Sequence, residues 1–317
     1  MNSYDLVTQS QPTFYFIGVT TASSSIMRVF PLWMKALGRP DVQIVGVDCK
    51  IHDAPAVYRS VVEHIRRDPL SLGALVTTHK IDLLAAARDL FDDLDPYARL
   101  THEVSSISKR GERLRGHAKD PISAGKSIDA ILEPGYFRQT GADVLCYGAG
   151  GAGTAIALHF MGKTSAADRP RQLTLTDCRP DRLEEIISLT SELRPQFAVH
   201  TAATREQGIS DRLLEQLPER SLVINATGMG KDTPGSPISD AAVFPRNCIV
   251  WELNYRGELD FMQQASAQRD DRGLRIEDGW LYFLHGWTQV IAEVLDVPIE
   301  GAVFVELAAI AAQTRGK

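Results

Sequence analysis

Three patches of this 317-residue chain carry residue types and spacings that can do chemistry. Gly148-Ala149-Gly150-Gly151-Ala152-Gly153 fits G-x-G-x-x-G, follows the apolar run VLCY and opens the helical stretch TAIALHFM. In that context glycines allow a tight turn, close approach of a pyrophosphate and packing of helix on strand, with phosphates resting on free N–H groups at the helix N-terminus. Asp177 ends the next apolar run, LTLTD. A carboxylate there can accept both ribose hydroxyls of NAD and repels the 2′-phosphate of NADP. Arg179 could instead receive that phosphate, so the expected cofactor is NAD, with NADP as the alternative. Asp177 also reads as a cap for the helix PDRLEEI. The third patch is GALVTTHK, where Lys80 stands at the open end of a buried run. Ligands of open α/β sheets gather at such strand ends. A lysine that merely starts an exposed helix is the other reading.

The elements that must position these residues follow from periodicity. FYFIGV, QIVGVD and GALVTT are short β-type runs, each followed by an amphipathic stretch (SSSIMRVFPLWMKALG, PAVYRSVVEHIRR, KIDLLAAARDLFDD). Three strand-helix units imply a mainly parallel sheet. Residues 108–122 turn polar and basic, and a domain boundary is expected near 122. The helical SAGKSIDAILE then leads into a second α/β series, with strands at VLCYGAG, LTLTD, SLVINAT and CIVWELNY. A helical terminal segment starts at the aromatic-rich WLYFLHGW.

Composition narrows the function classes. At 44% hydrophobic and 23% charged residues the chain is ordinary globular material, long enough for two domains with their own cores. The net charge of −6 is spread without a basic run, so nucleic acid is not an expected partner. Cys49, Cys146, Cys178 and Cys248 lie far apart, suggesting neither a metal site nor a disulfide framework and fitting a reducing cytosol. No basic-then-apolar leader and no membrane-length apolar run is visible, so a soluble, cytoplasmic protein is expected, with no membrane partner.

Taken in order, GVTTASSSIMRVFPLWMKALG (18–38), GALVTTHK, GHAKD, GAGGAG, NATGMG and ELNY resemble the shikimate/quinate dehydrogenase family, over roughly residues 14 to 300. The resemblance implies an α/β fold: an N-terminal α/β substrate domain with a mainly parallel sheet (1–122 plus about 279–317), and a Rossmann-type NAD(P)-binding domain (123–278). It further implies a terminal helix returning to the first domain and a substrate cleft between the two. The family's catalytic lysine and aspartate correspond to Lys80 in VTTHK and Asp120 in GHAKD. Asn225, Thr227 and Gly228 of NATGMG join Gly148, Gly150, Gly151, Ala152, Gly153, Asp177 and Arg179 as cofactor-binding positions. Oxidising an alcohol with NAD requires a proton to leave oxygen as hydride leaves carbon, which a lysine–carboxylate pair can manage, since burial lowers the lysine pKa while the carboxylate raises it.

The substrate-binding positions depart from the family's pattern. Its Ser-x-Ser pair falls on Ser24 and Ile26, its ring-hydroxyl asparagine on Ser105, and its pre-aspartate threonine on Lys119. Thr78 lies in an altered approach to the lysine, the usual glutamine falls at Gly286 between His285 and Gln289, and Tyr255 is kept. Lys119, His117 and Arg28 are candidate replacements for the lost anion contacts, or else solvated charges. A site built to bond particular hydroxyls discriminates strongly against analogues lacking them. The expected activity is therefore reversible hydride transfer between nicotinamide and a small-molecule cyclic hydroxy acid, a hydroxylated, carboxylated ring related to shikimate or quinate. An orthodox shikimate or quinate dehydrogenase and a non-catalytic NAD-binding regulator are the other readings. A monomer or homodimer is expected.

Overall fold

The run TFYFIG is buried at every position and forms β1 (Thr13–Gly18), the strand around which the first sheet is built. In the computed structural model, which describes residues 6–206, 208–231 and 233–315, β1 is followed by α1 (Ile26–Ala36), β2 (Gln43–Asp48), α2 (Pro55–Arg67), β3 (Ser71–Val76) and α3 (Lys80–Ala87). β2 and β3 pair parallel to β1 on its two sides, as the strand-helix periodicity implies. Next come β4 (Asp93–Leu94), α4 (Pro96–Thr101), β5 (Ser106–Arg110) and β6 (Arg113–His117), completing the order β2-β1-β3-β5-β6-β4.

The hairpin β5–β6 departs from expectation. The polar, basic stretch ahead of the expected boundary, in which no strand was read, is an antiparallel pair turning at Gly111 (φ 61), with Ser106 opposite His117 and Arg110 opposite Arg113. The cause is a period of two beneath the charges: Leu114 and Gly116 are buried while Arg113 and Arg115 face outward. Ile107 and Leu114 join Tyr15, Ile17, Val47, Val62 and Val76 in the core of this unit.

The chain divides into two compact units, Met1–Lys119 with Gly286–Lys317, and Asp120–His285. The second contains α5 (Asp120–Ile131), α6 (Tyr136–Thr140), β7 (Val144–Tyr147), α7 (Gly151–Met161), β8 (Gln172–Asp177), α8 (Pro180–Leu193) and β9 (Ala198–Ala203). It continues through α9 (Ile209–Glu215), β10 (Leu222–Asn225), β11 (Ile249–Glu252), α10 (Asp260–Ala267), α11 (Arg269–Arg272) and β12 (Arg275–Glu277). Its sheet is parallel throughout, in the order β12-β11-β10-β7-β8-β9. Successive residues of the central strands enter different cores: Val144, Cys146, Ile224 and Trp251 one, Leu145, Tyr147, Val223 and Val250 the other. Strands buried on both faces read as unbroken apolar runs. The strand order reverses between β7 and β10, the switch point where open α/β sheets bind ligands.

The terminal segment, read as one helical stretch, forms two helices, α12 (Trp280–Leu295) and α13 (Gly301–Ala312). Asp296 takes a left-handed conformation (φ 56) and Pro298 follows, so the first helix cannot continue. α13 is tied to α1, where the indole N–H of Trp33 donates to Leu307 O at 2.7 Å. Among the described residues no helix is long and apolar enough to cross a membrane.

Candidate active site

In the second unit the glycine loop joins β7 to α7, and its glycines have separable duties. Gly148 has φ 97, and a Cβ there would lie 2.7 Å from Ala226 O and 2.9 Å from Thr227 N. A Cβ on Gly153 would lie 2.0 Å from Gly148 O, whereas one on Gly150 would meet nothing within 4 Å. The first glycine thus makes the turn, the third lets helix meet strand, and the second leaves open space where backbone can approach a pyrophosphate. Gly151, Ala152 and Gly153 form the first turn of α7, whose free N–H groups and dipole favour an anion. These residues fit a dinucleotide.

Asp177 ends β8 beside this loop. Its Oδ2 accepts from Ala149 N at 2.9 Å and its Oδ1 from Arg179 N at 2.9 Å, so the carboxylate also pins the turn. The Arg179 guanidinium is spread over Asp181, with Nε to Oδ1 at 3.2 Å and the terminal nitrogen to Oδ2 at 2.5 Å. That charge is already offset. Asn225 ends β10, and Thr227 and Gly228 lie on the loop after it: Thr227 donates to Asn225 Oδ1 through N (3.1 Å) and Oγ1 (2.6 Å).

Two residues of ELNY given no role in the sequence reading, Glu252 and Asn254, organise that loop. Glu252 closes β11 fully buried, accepting from Asn225 Nδ2 at 2.6 Å and from Asn254 N and Nδ2 at 2.8 and 2.7 Å. Burial pushes its carboxyl up to about 7 against these hydrogen bonds. The available signal was a carboxylate ending the apolar run CIVWE, the same cue that singled out Lys80. Half-buried Tyr255 sits in an aromatic trio, its ring 5.4 Å from Trp280 and 4.8 Å from Phe283. His285 is buried, which lowers it to about 4, and its carbonyl accepts from Ser123 Oγ at 3.3 Å. Asp120 heads α5 in its first turn, where a carboxylate complements the helix dipole.

In the first unit Lys80 is the first residue of α3, half-buried, four residues past β3. The turn before it is strained: Thr78, β-branched and exposed, has φ 57, a conformation costing of order 1–3 kcal/mol. Buried His79 anchors the turn through a 3.1 Å contact between its Nδ1 and Tyr58 OH, and Lys80 O accepts from Val104 N at 3.2 Å. Asp48, at the end of β2, accepts from Thr21 N (2.8 Å) and Oγ1 (2.6 Å), fixing the loop that carries half-buried Ser24.

Other expected substrate positions are placed differently. Ile26 is fully buried, because it begins the apolar stripe Ile26, Val29, Phe30, Trp33 of α1. Ser105 is buried with its hydroxyl committed to backbone, accepting from Lys119 N at 2.8 Å and donating to His117 O at 3.5 Å. Lys119 is not a solvated charge: its Nζ lies 2.6 Å from Glu293 Oε2 on α12. His117 is buried too, and burial lowers it to about 4, so its ring carries no positive charge for an anion at neutral pH. It meets Ser108 Oγ at 3.0 Å and Glu293 Oε1 at 3.2 Å. Gln289 is half-buried on α12 and Arg28 is exposed on α1.

No family model matches the chain. A shikimate dehydrogenase (NADP(+)) of Symbiobacterium thermophilum is 32% identical over 188 residues, covering 59% of this chain and 60% of that protein. The match thus spans less than two thirds of the relative. Among solved structures, quinate dehydrogenase from Corynebacterium glutamicum in complex with NAD superposes with TM-score 0.71 at 17% identity, covering 96% of this chain and 99% of the other. Ligand-free 5-ketofructose reductase of Gluconobacter sp. strain CHM43 gives TM-score 0.68 at 18% identity, covering 96% and 97%. At such identities the likeness is one of fold.

Proposed function

We propose that this chain, which is shikimate/quinate dehydrogenase-like in sequence and fold, is an NAD(P)-dependent alcohol dehydrogenase acting on a small cyclic hydroxy acid. The observation that carries the reading is the glycine loop, whose three duties are filled by Gly148, Gly150 and Gly153 at the sheet's switch point. A dinucleotide held there by its pyrophosphate would supply, through its nicotinamide, the hydride acceptor. Lys80 and Asp120 are the acid–base pair: they take the proton from the alcohol oxygen as the carbon is oxidised and return it in reduction. NAD is favoured over NADP, because Asp177 would face a 2′-phosphate with like charge while Arg179 is engaged with Asp181. The shikimate dehydrogenase relative is named for NADP(+), so the two cofactors should be titrated side by side. Four cysteines without a disulfide support a reducing, cytoplasmic setting, and we propose a monomer or homodimer.

The substrate is a ring related to shikimate or quinate with a different pattern of hydroxyls. Ile26 offers no hydroxyl, Ser105 has already spent its own, and Lys119 is balanced by Glu293. The test is to incubate the protein with NAD or NADP and a panel of cyclic hydroxy acids, adding polyols that lack a carboxylate, and to follow the absorbance of reduced nicotinamide. Turnover of a panel member supports the reading. Cofactor binding without turnover of any would make the chain a regulator that kept the fold.

A further inference from the structure

The buried carboxylate at the end of β11 touches no expected ligand position directly, yet its partners lead to the glycine loop. Asn225 and Asn254 have their amides oriented by backbone: Thr227 N donates to Asn225 Oδ1, and Asn254 Nδ2 donates to Met229 O at 3.1 Å. Their remaining N–H groups converge on Glu252, two on Oε1 and one on Oε2. The loop between these asparagines is closed further by Met229 N on Thr227 Oγ1 at 3.1 Å. On its other side it abuts Gly148 so closely that no side chain fits between Gly148 and Ala226.

We propose that Glu252 is a positioning residue for the cofactor: through Asn225 and Asn254 it holds the loop 225–230 against the glycine loop. The inference rests on the dinucleotide-binding reading of that loop. Three N–H donors are best matched by an acceptor-only partner, which is an ionised carboxylate. A protonated Glu252 would turn an O–H toward Asn225 Nδ2, donor against donor, and release that side of the loop. Lys231, beyond the loop, is the charged side chain that bears on this carboxyl and favours its ionised form.

The experiment compares wild type, Glu252→Gln, and the swap Glu252→Gln with Asn225→Asp, measuring NAD affinity by calorimetry at pH 6 to 8 alongside thermal melting. In Glu252→Gln an amide nitrogen faces Asn225 Nδ2, and NAD should bind roughly tenfold or more weakly, the loss of one charge-assisted hydrogen bond. In the swap, residue 225 becomes the acceptor for the 252 amide while still receiving both Thr227 donors. Affinity should return to within about threefold of wild type, a difference smaller than one hydrogen bond. Wild-type affinity should strengthen as pH rises through about 7, and Glu252→Gln should lack that slope. A merely structural role would lower the melting point without moving the slope. If Glu252→Gln fails to fold, the swap decides alone: NAD bound within that range supports the proposal, and weak binding overturns it. Unchanged affinity in a folded Glu252→Gln overturns the proposal while leaving the cofactor site intact, whereas a wild type that binds neither NAD nor NADP overturns both.

Discussion

The loops after β7 and β3 occupy the same station in their sheets, the carboxyl end of a buried parallel strand, yet they are made differently. Residues 148–153 rely on glycines, and what they offer is the first-turn N–H groups of α7 and open space above Gly150. Residues 77–80 contain no glycine; the turn is forced through Thr78 at φ 57, held by His79 and Tyr58, and delivers one side chain, Lys80. A backbone site is specified by where side chains are missing, which a short motif can record. A side-chain site is specified by what surrounds it, and that surrounding arrives from distant segments, here Tyr58 of α2 and Val104 before β5.

The strongest way to break this comparison is at Lys80. Lys80→Ala should lower kcat by 10²- to 10⁴-fold, the usual contribution of an acid–base group, while NAD affinity, set in the second unit, stays nearly unchanged. Asp120→Asn should also impair turnover, and the double variant should lose less than the product of the single losses, because groups acting as a unit are non-additive. Retention of more than about a tenth of wild-type kcat would falsify the role, being less than the lower end of that range.

Shikimate sharpens the side-chain half of the contrast. With Ile26 buried and Ser105 committed, its catalytic efficiency should trail that of the best panel substrate by roughly one to two orders of magnitude, the value of one lost hydrogen bond to a charged group. Shikimate proving the best substrate would refute the argument from the rewritten positions.

On the backbone side, Gly150→Ala and Gly153→Ala should separate. A methyl at 150 meets nothing in the protein, so the melting point should hold while cofactor affinity falls by about tenfold, near 1.4 kcal/mol. A methyl at 153 collides with Gly148 O and should lower stability as well. Equal melting points for both variants would show that the two glycines do not have separate duties.

The last prediction concerns pH. Burial lowers His117 in the first unit and His159 and His285 in the second to about 4, from 6.5. The folded state keeps these rings neutral, so their contribution is fully present above about 6.5 and is lost as pH falls toward 4, where the unfolded chain binds protons first. Glu252 runs the other way: raised to about 7 from 4.5, it makes the fold less stable as pH climbs through that interval. Three groups outweigh one, so the melting temperature should drop between pH 6.5 and 4.5. Calorimetric melts across that range check it, and a melting point that rises on acidification contradicts it.

Much of the architecture was legible because it is local. Strand-helix alternation to Val76, the unbroken apolar strands of the second sheet, the glycine loop and the lysine after the run GALV each follow from a few consecutive residues. The β5–β6 hairpin escaped because its alternation is carried by Leu114 and Gly116 among arginines, so charge masked the period. The terminal helix was read through Pro298, although the break there follows from that residue.

By itself, the sequence determined the two α/β series, the cofactor loop and the candidate acid–base residues, since periodicity and backbone freedom are properties of neighbours in the chain. Only the tertiary structure decided which polar groups are still available to a ligand. Ser105 loses its hydroxyl to Lys119 N and Lys119 its charge to Glu293, while Glu252 gains its task from Asn225 and Asn254. Once buried, a polar group must find a partner, and most of these partners come from other elements of the fold, brought within hydrogen-bonding distance only when it forms.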